Sequence, residues 1–191
     1  NLSRFIDGGF TPEASINWDQ LAESTETLVR FLDNVVTWNE DLNALEKQRK
    51  AASETRRLGL GVMGIADMLN QLGVAYDSEQ GVIIIEKVME YITNAAYQAS
   101  SFIAKEKNPS PIFNEKTYME CPFIKEALSE QTHAMIRKNG LRNIAIMSIA
   151  PTGSISNIVL GYRSKSKNKN YIGGSGGVEP IFSTFYTRRS E

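Results

Sequence analysis

The sequence predicts an α/β chain, and three observations carry that prediction. Apolar residues recur at helical spacing over two long stretches, one from Trp18 to Val35 and one from Val82 to Ile103. The run Ile144–Ile149 is nearly continuously apolar, as expected of a strand covered on both faces. Between the helical stretches, "RRLGLGVMGIADMLNQLG" reads as a short strand, a glycine turn and a helix.

Each element follows from its residues in turn. After a turn around Asp7-Gly8-Gly9, Trp18, Leu21, Ala22, Leu28, Val29, Leu32 and Val35 fall at spacings of three, four and seven, one face of a helix that Asn17 or Ser15 could cap. The charge-rich stretch from Glu40 to Arg57 is expected to hold a shorter helix. Asp77 or Ser78 opens a long core helix whose apolar side runs through Val82, Ile85, Val88, Met89, Ile92, Ala95, Ala96, Ala99, Phe102 and Ile103. "KNPSPIFN" ends it with two prolines, and Pro122 suits the first position of a further helix ending near Gly140. The strand Ile144–Ile149 then runs into a Pro-Thr-Gly-Ser turn and a short helical pattern. Residues 162–177, "YRSKSKNKNYIGGSGG", read as an irregular basic loop. Its Arg163, Lys165, Lys167 and Lys169 fit a solvated loop, or else a contact for phosphate, nucleic acid or a partner.

Composition narrows the function classes. With 191 residues, 41% of them apolar and 23% charged, the chain is long enough for one domain with its own core. A net charge of -1 argues against a protein built around nucleic acid or an anionic membrane. No apolar run approaches the roughly 18 residues of a membrane span, and "NLSRFIDGGF" lacks a signal pattern, so the expected location is the cytoplasm. One cysteine, Cys121, and one histidine, His133, leave no intrachain disulfide and no cysteine-rich or multi-histidine metal site. Neither has a base or ligand partner that the sequence can name, and an inert thiol and a structural imidazole are expected. No catalytic constellation emerges.

Two glycine-containing stretches could hold phosphate. "GLGVMG", residues 59–64, fits G-x-G-x-x-G, the fingerprint of a nicotinamide-dependent oxidoreductase. That role requires a hydrophobic strand before it and an acidic residue about 20 positions later. "AASETRRL" precedes it and a helix start follows, so tight backbone packing explains its glycines better. "APTGSIS", residues 150–156, places Thr152, Gly153 and Ser154 where a buried strand turns into a helix, a geometry suited to anions. A plain strand-to-helix turn, with Pro151 setting φ and Ser154 as N-cap, fits the local pattern equally well. A noncatalytic helical interaction module is the remaining alternative.

Taken in order, "NLSRFIDGG", "RRLGLGVMGIADMLNQLGVAYDS", "NIAIMSIAPTGSISNIVLG" and "SGGVEPIFSTFYTRRS" resemble the large catalytic subunit of ribonucleotide reductase. "APTGSIS" is most similar to the adenosylcobalamin-dependent class II enzymes, whereas "FYTRR" is shared more widely. The match weakens between Lys107 and Leu141 and in the basic loop. The resemblance implies that residues 1–191 are one partial domain, part of a ten-stranded α/β barrel built from two antiparallel halves. It implies that Pro151, Thr152, Gly153, Ser154 and Ile155 hold the diphosphate of a ribonucleotide substrate, with adenosylcobalamin as cofactor. It also implies a thioredoxin-type reductant and the remainder of the catalytic chain as partners, and allows a homodimer. The family's radical and redox cysteines, with an asparagine and a glutamate, match no position here. The chain is therefore expected to be an internal or C-terminal piece of the barrel, inactive alone, with unpaired strand edges and apolar surface.

Overall fold

A computed structural model describes residues 1–159, 161–164, 169–181, 183 and 185. In chain order the helices are α1 (Trp18–Asn39), α2 (Glu46–Thr55), α3 (Ile65–Leu72), α4 (Glu79–Lys107), α5 (Glu115–Met119), α6 (Pro122–Ala127), α7 (Glu130–Asn139) and α8 (Gly153–Val159). The strands are β1 (Ile6–Asp7), β2 (Ser15–Ile16), β3 (Gly161–Ser164) and β4 (Lys169–Ile172). They group into two compact units, one of Asn1–Trp18, Val62–Ile85 and Ala150–Glu191, the other of Asp19–Gly61 and Glu86–Ile149.

In the first unit, β1 and β2 pair antiparallel with Ile6 opposite Ile16. Helix α3 is bounded by two left-handed glycines, Gly64 at φ 74° and Gly73 at φ 72°, which start and stop it sharply. Its Ile65, Ala66, Met68 and Leu69 are buried, as are Leu2 and Val62. Gln71 donates from Nε2 to the Ser3 carbonyl at 2.7 Å, and its own carbonyl accepts from the Phe10 N–H at 2.8 Å. The described part of residues 162–177, expected to be an irregular loop, is held by hydrogen bonds. Strands β3 and β4 pair antiparallel with Tyr162 opposite Tyr171, and Ser175 bridges Pro180 in a tight turn that buries Gly173, Ser175 and Gly177. Lys165 and Lys167 lie outside the described residues.

The second unit is helical around one parallel strand contact. The Leu58 N–H donates to Ala145 O at 2.8 Å, Leu60 N–H to Ile146 O at 2.9 Å, and Ser148 N–H to Leu60 O at 2.8 Å. The two segments read as strands, before the glycine turn and at Ile144–Ile149, are thus each other's partners. Val29, Leu60, Ala96, Tyr97, Ile103, Ile124, Ile136, Leu141 and Ile146 form the core around them. In the first unit, Ser78 caps the start of α4 by accepting the Gly81 N–H at 3.0 Å.

Three expectations change here. The helix starting at Pro122 is two helices, because Ser129 accepts the Thr132 N–H and begins α7 anew. On α1 the buried positions are Leu21, Thr25, Val29 and Asp33, while Leu28 and Val35 stay substantially exposed. The third concerns sheet content: among the described residues the strands form two antiparallel pairs and isolated bridges, so the molecule is mostly helical and a ten-stranded barrel is not seen. An extended segment counts as sheet only where a neighbour takes up its N–H and C=O groups. Ile144–Ile149 has such a neighbour on one side, at Leu58–Leu60.

Asp33 organises the second unit's polar interior. Its carboxylate is fully buried, and Oδ1 accepts from Arg56 Nε at 2.9 Å and Asn143 Nδ2 at 3.0 Å. Arg56 sits in the left-handed region at φ 47°, closing α2, and its guanidinium also donates to the Asp33 carbonyl, Thr37 Oγ1 and Glu40 Oε1. Asn143 donates to the Arg56 carbonyl at 2.9 Å, so one side chain ties together the starts of both parallel segments.

Candidate functional site

The residues Pro151–Ile155 form an exposed turn at the start of α8, in the first unit. Thr152 adopts a left-handed conformation, φ 54°, which a non-glycine residue holds only when its surroundings support it. Its Oγ1 donates to the Pro151 carbonyl at 2.8 Å, and its own carbonyl accepts the Ser156 N–H at 3.0 Å, the first bond of the helix. The buried Ser156 hydroxyl donates to the Gly153 carbonyl at 2.9 Å. Ser154 therefore lies inside the first turn and is not the N-cap. Pro151, Gly153, Ser154 and Ile155 are exposed, and Thr152 is half-buried.

Gly153 differs from the molecule's structural glycines. Among the described residues a Cβ added there would meet nothing within 4 Å, so their packing does not demand glycine at this position. The N–H groups of a first helical turn lack intrahelical acceptors, and the helix dipole adds partial positive charge there. A turn of this kind suits an anionic group approaching from solvent.

The glycines of "GLGVMG" are used inside the protein. A Cβ on Gly61 would collide with the Ser148 carbonyl oxygen across the parallel strand contact, and one on Gly59 would touch Ser148 Cβ at 3.8 Å. Gly64 donates its N–H to the Gly177 carbonyl at 2.7 Å, and a Cβ there would strike Asn1 Oδ1. Close packing and left-handed backbone account for Gly61 and Gly64, whereas a Cβ on Gly59 would make only an ordinary contact.

The remaining candidates fall away. Cys121 precedes α6 with an exposed thiol. His133 is buried, with Nε2 2.7 Å from the Ile124 carbonyl, which fixes that nitrogen as a donor. Among the described residues no group of histidine, cysteine and carboxylate side chains could hold a metal ion, and no helix is long and apolar enough to cross a membrane.

Two residues that the sequence did not single out belong to the segments behind the turn. Asp67 in α3 is buried, and its Oδ1 accepts the Gly174 N–H at 2.6 Å. Gly177, at φ 140°, packs directly against Pro151 and Thr152. The signal was the glycine density of "GGSGG", which fits close backbone approach as well as it fits a loose loop.

Comparison with known proteins gives a consistent result. The family described as "Ribonucleotide reductase, barrel domain" matches residues 1–191. A vitamin B12-dependent ribonucleoside-diphosphate reductase of Mycobacterium tuberculosis is 32% identical over 188 residues, covering 98% of this chain and 22% of that protein. The protein of the same name from Thermoplasma acidophilum is 33% identical over 188 residues, covering 98% of this chain and 20% of its own length. Among solved structures, the Actinobacillus ureae class Id ribonucleotide reductase alpha subunit aligns with a TM-score of 0.54 at 25% identity, over 77% of this chain and 26% of that one. The chain thus spans 20–26% of the length of these relatives.

Proposed function

The chain belongs to the ribonucleotide reductase barrel-domain family, and from that premise we propose that it is part of an enzyme reducing ribonucleoside diphosphates to deoxyribonucleotides. Residues 1–191 are read as one partial catalytic domain, both compact units being portions of a ten-stranded α/β barrel. The remainder of the polypeptide supplies the radical and redox cysteines, and this segment alone is inactive. A thioredoxin-type reductant and a homodimeric state belong to the same reading.

This segment contributes the phosphate site, at Pro151, Thr152, Gly153, Ser154 and Ile155. The observation that carries the assignment is Gly153: it is exposed at a helix start, and among the described residues no atom lies within 4 Å of where its Cβ would stand. Backbone N–H groups of the first turn, with the Thr152 and Ser154 hydroxyls, would bind and orient the diphosphate, so that the ribose is presented to the chemistry carried elsewhere.

The cofactor is adenosylcobalamin, on the printed names of the two relatives and the likeness of "APTGSIS" to class II loops. The described residues do not fit it as ligands or radical carriers: His133 spends Nε2 on a buried carbonyl, and Cys121 is an exposed residue at a helix start. Its site is therefore assigned outside the described residues.

Gly153→Val in the full-length enzyme tests the phosphate site. A Cβ there meets no atom of the described residues within 4 Å, so the melting temperature should hold while KM for the nucleoside diphosphate rises about tenfold or more. An unchanged KM would remove the assignment.

A further inference from the structure

The phosphate turn is supported from behind by a second glycine segment, and the support is specific. Gly177 lies against the Pro151–Thr152 turn so closely that a Cβ on it would sit 2.6 Å from both the Pro151 carbonyl oxygen and Thr152 Oγ1. Those two oxygens are the ends of the hydrogen bond that closes the left-handed Thr152 conformation. Gly177 is itself at φ 140°, which a side chain would strain.

The segment carrying Gly177 is fixed at several points. The Gly64 N–H donates to the Gly177 carbonyl at 2.7 Å, and the Ala66 N–H donates to Val178 O at 3.1 Å. Ser175 Oγ, buried, lies 2.7 Å from the Gly177 carbonyl and accepts the Gly177 N–H at 3.3 Å. The buried Asp67 carboxylate accepts the Gly174 N–H at 2.6 Å, a short charge-assisted bond. The space left among Gly64, Asp67, Ser156, Ser175, Gly177 and their neighbours is only about 10 Å³, so the cluster is packed backing with no room for a ligand.

We infer that Gly177 and Asp67 are positioning residues for the substrate's phosphates: Gly177 holds the Pro151–Thr152 turn in its anion-facing shape, and Asp67 anchors the segment that carries Gly177. The inference rests on the reading of Pro151–Ile155 as the phosphate site. It also gives "GLGVMG" a use, because Gly64 is one of the anchors. A methyl group at 177 would push both oxygens back by several tenths of an ångström, and misplacements of about 1 Å at a substrate-binding group cost up to about a hundredfold.

The test uses full-length enzyme carrying Gly177→Ala, Asp67→Ala, Asp67→Asn or Gly153→Val. It measures KM and kcat for a nucleoside diphosphate and the competitive Ki of inorganic pyrophosphate. Gly177→Ala and Asp67→Ala should raise KM and the pyrophosphate Ki together by about tenfold, with kcat changed by less than about threefold. Asp67→Asn, whose amide oxygen can still accept the Gly174 N–H, should recover most of the affinity. KM is independent of how much enzyme is folded, so a merely structural defect would lower the measured kcat and leave KM and Ki unchanged. That outcome, with Gly153→Val still raising KM, would overturn the positioning role while the phosphate site stands. If Gly153→Val also leaves KM and Ki unchanged, the phosphate site falls and the positioning role with it.

Discussion

Replacing Asp33 by asparagine should loosen the second unit far more than its small change in shape suggests. The carboxylate lies 2.9 Å from Arg56 Nε, 3.5 Å from Arg142 Nε and 3.7 Å from Lys107 Nζ, and both Asp33 and Arg56 are at most 3% exposed at their side chains. Removing one partner of a buried pair costs about 3–5 kcal/mol, because it strands the other charge. Arg56 keeps Glu40, Thr37 and the Asp33 carbonyl, which places the expected loss near the lower figure, about 3 kcal/mol. At about 1.36 kcal/mol per tenfold, that is roughly a hundredfold. Hydrogen exchange reads it directly: the amides of Leu58, Leu60 and Ser148 cross the parallel strand contact, and their exchange should accelerate by about two orders of magnitude. The joint change Asp33→Leu/Arg56→Met should cost less than Asp33→Asn, since it strands no charge between this pair. Acceleration below about fivefold in Asp33→Asn, or a costlier double variant, would refute the reasoning.

Two further outcomes follow from the same geometry. Gly61→Ala should destabilise the chain by about 2 kcal/mol or more in denaturant unfolding, because its methyl group meets the Ser148 carbonyl rather than a flexible side chain; saturable NAD(H) binding that this variant abolishes would contradict the structural role. Tyr118 donates to the Ile144 carbonyl at 2.8 Å, and burial, with Tyr97 beside it, holds its hydroxyl well above the ordinary value of 10.0. The unfolded chain ionises first, so stability from this group is complete below pH 10 and is lost as pH rises beyond it. Tyr118→Phe should cost about 1–2 kcal/mol at neutral pH and flatten the alkaline fall, as followed by thermal melting between neutral pH and pH 11; an unchanged alkaline slope would count against it.

Local pattern carried part of the fold. Val88, Ile92, Ala96, Ala99 and Ile103 of α4 are buried as their spacing predicts, although Val82 and Phe102, read onto the same face, are exposed, and the two apolar extended segments are strand partners. Long-range chemistry decided the rest. Asp33 reads as a surface residue until its partners at 56 and 143 are known, and once it turns inward it carries Thr25 and Val29 with it and leaves Leu28 and Val35 outside. The break between α6 and α7 lies in one serine hydroxyl, which periodicity does not register. At the candidate site, the turn at Pro151–Ile155 was legible because strand, proline, glycine and hydroxyls are consecutive. Its support was not legible: Asp67 and Gly177 come from distant segments, and their roles appear only when three glycine-containing stretches meet.

The most direct test of the functional account is a reduction assay on the full-length protein. Ribonucleoside diphosphate is supplied with a dithiol reductant, with and without adenosylcobalamin, and deoxyribonucleotide is quantified. The account predicts product only when adenosylcobalamin is present, and none from residues 1–191 alone under the same conditions. Equal activity without the cofactor would contradict the cobalamin assignment, and no reduction under either condition would contradict the proposed function itself.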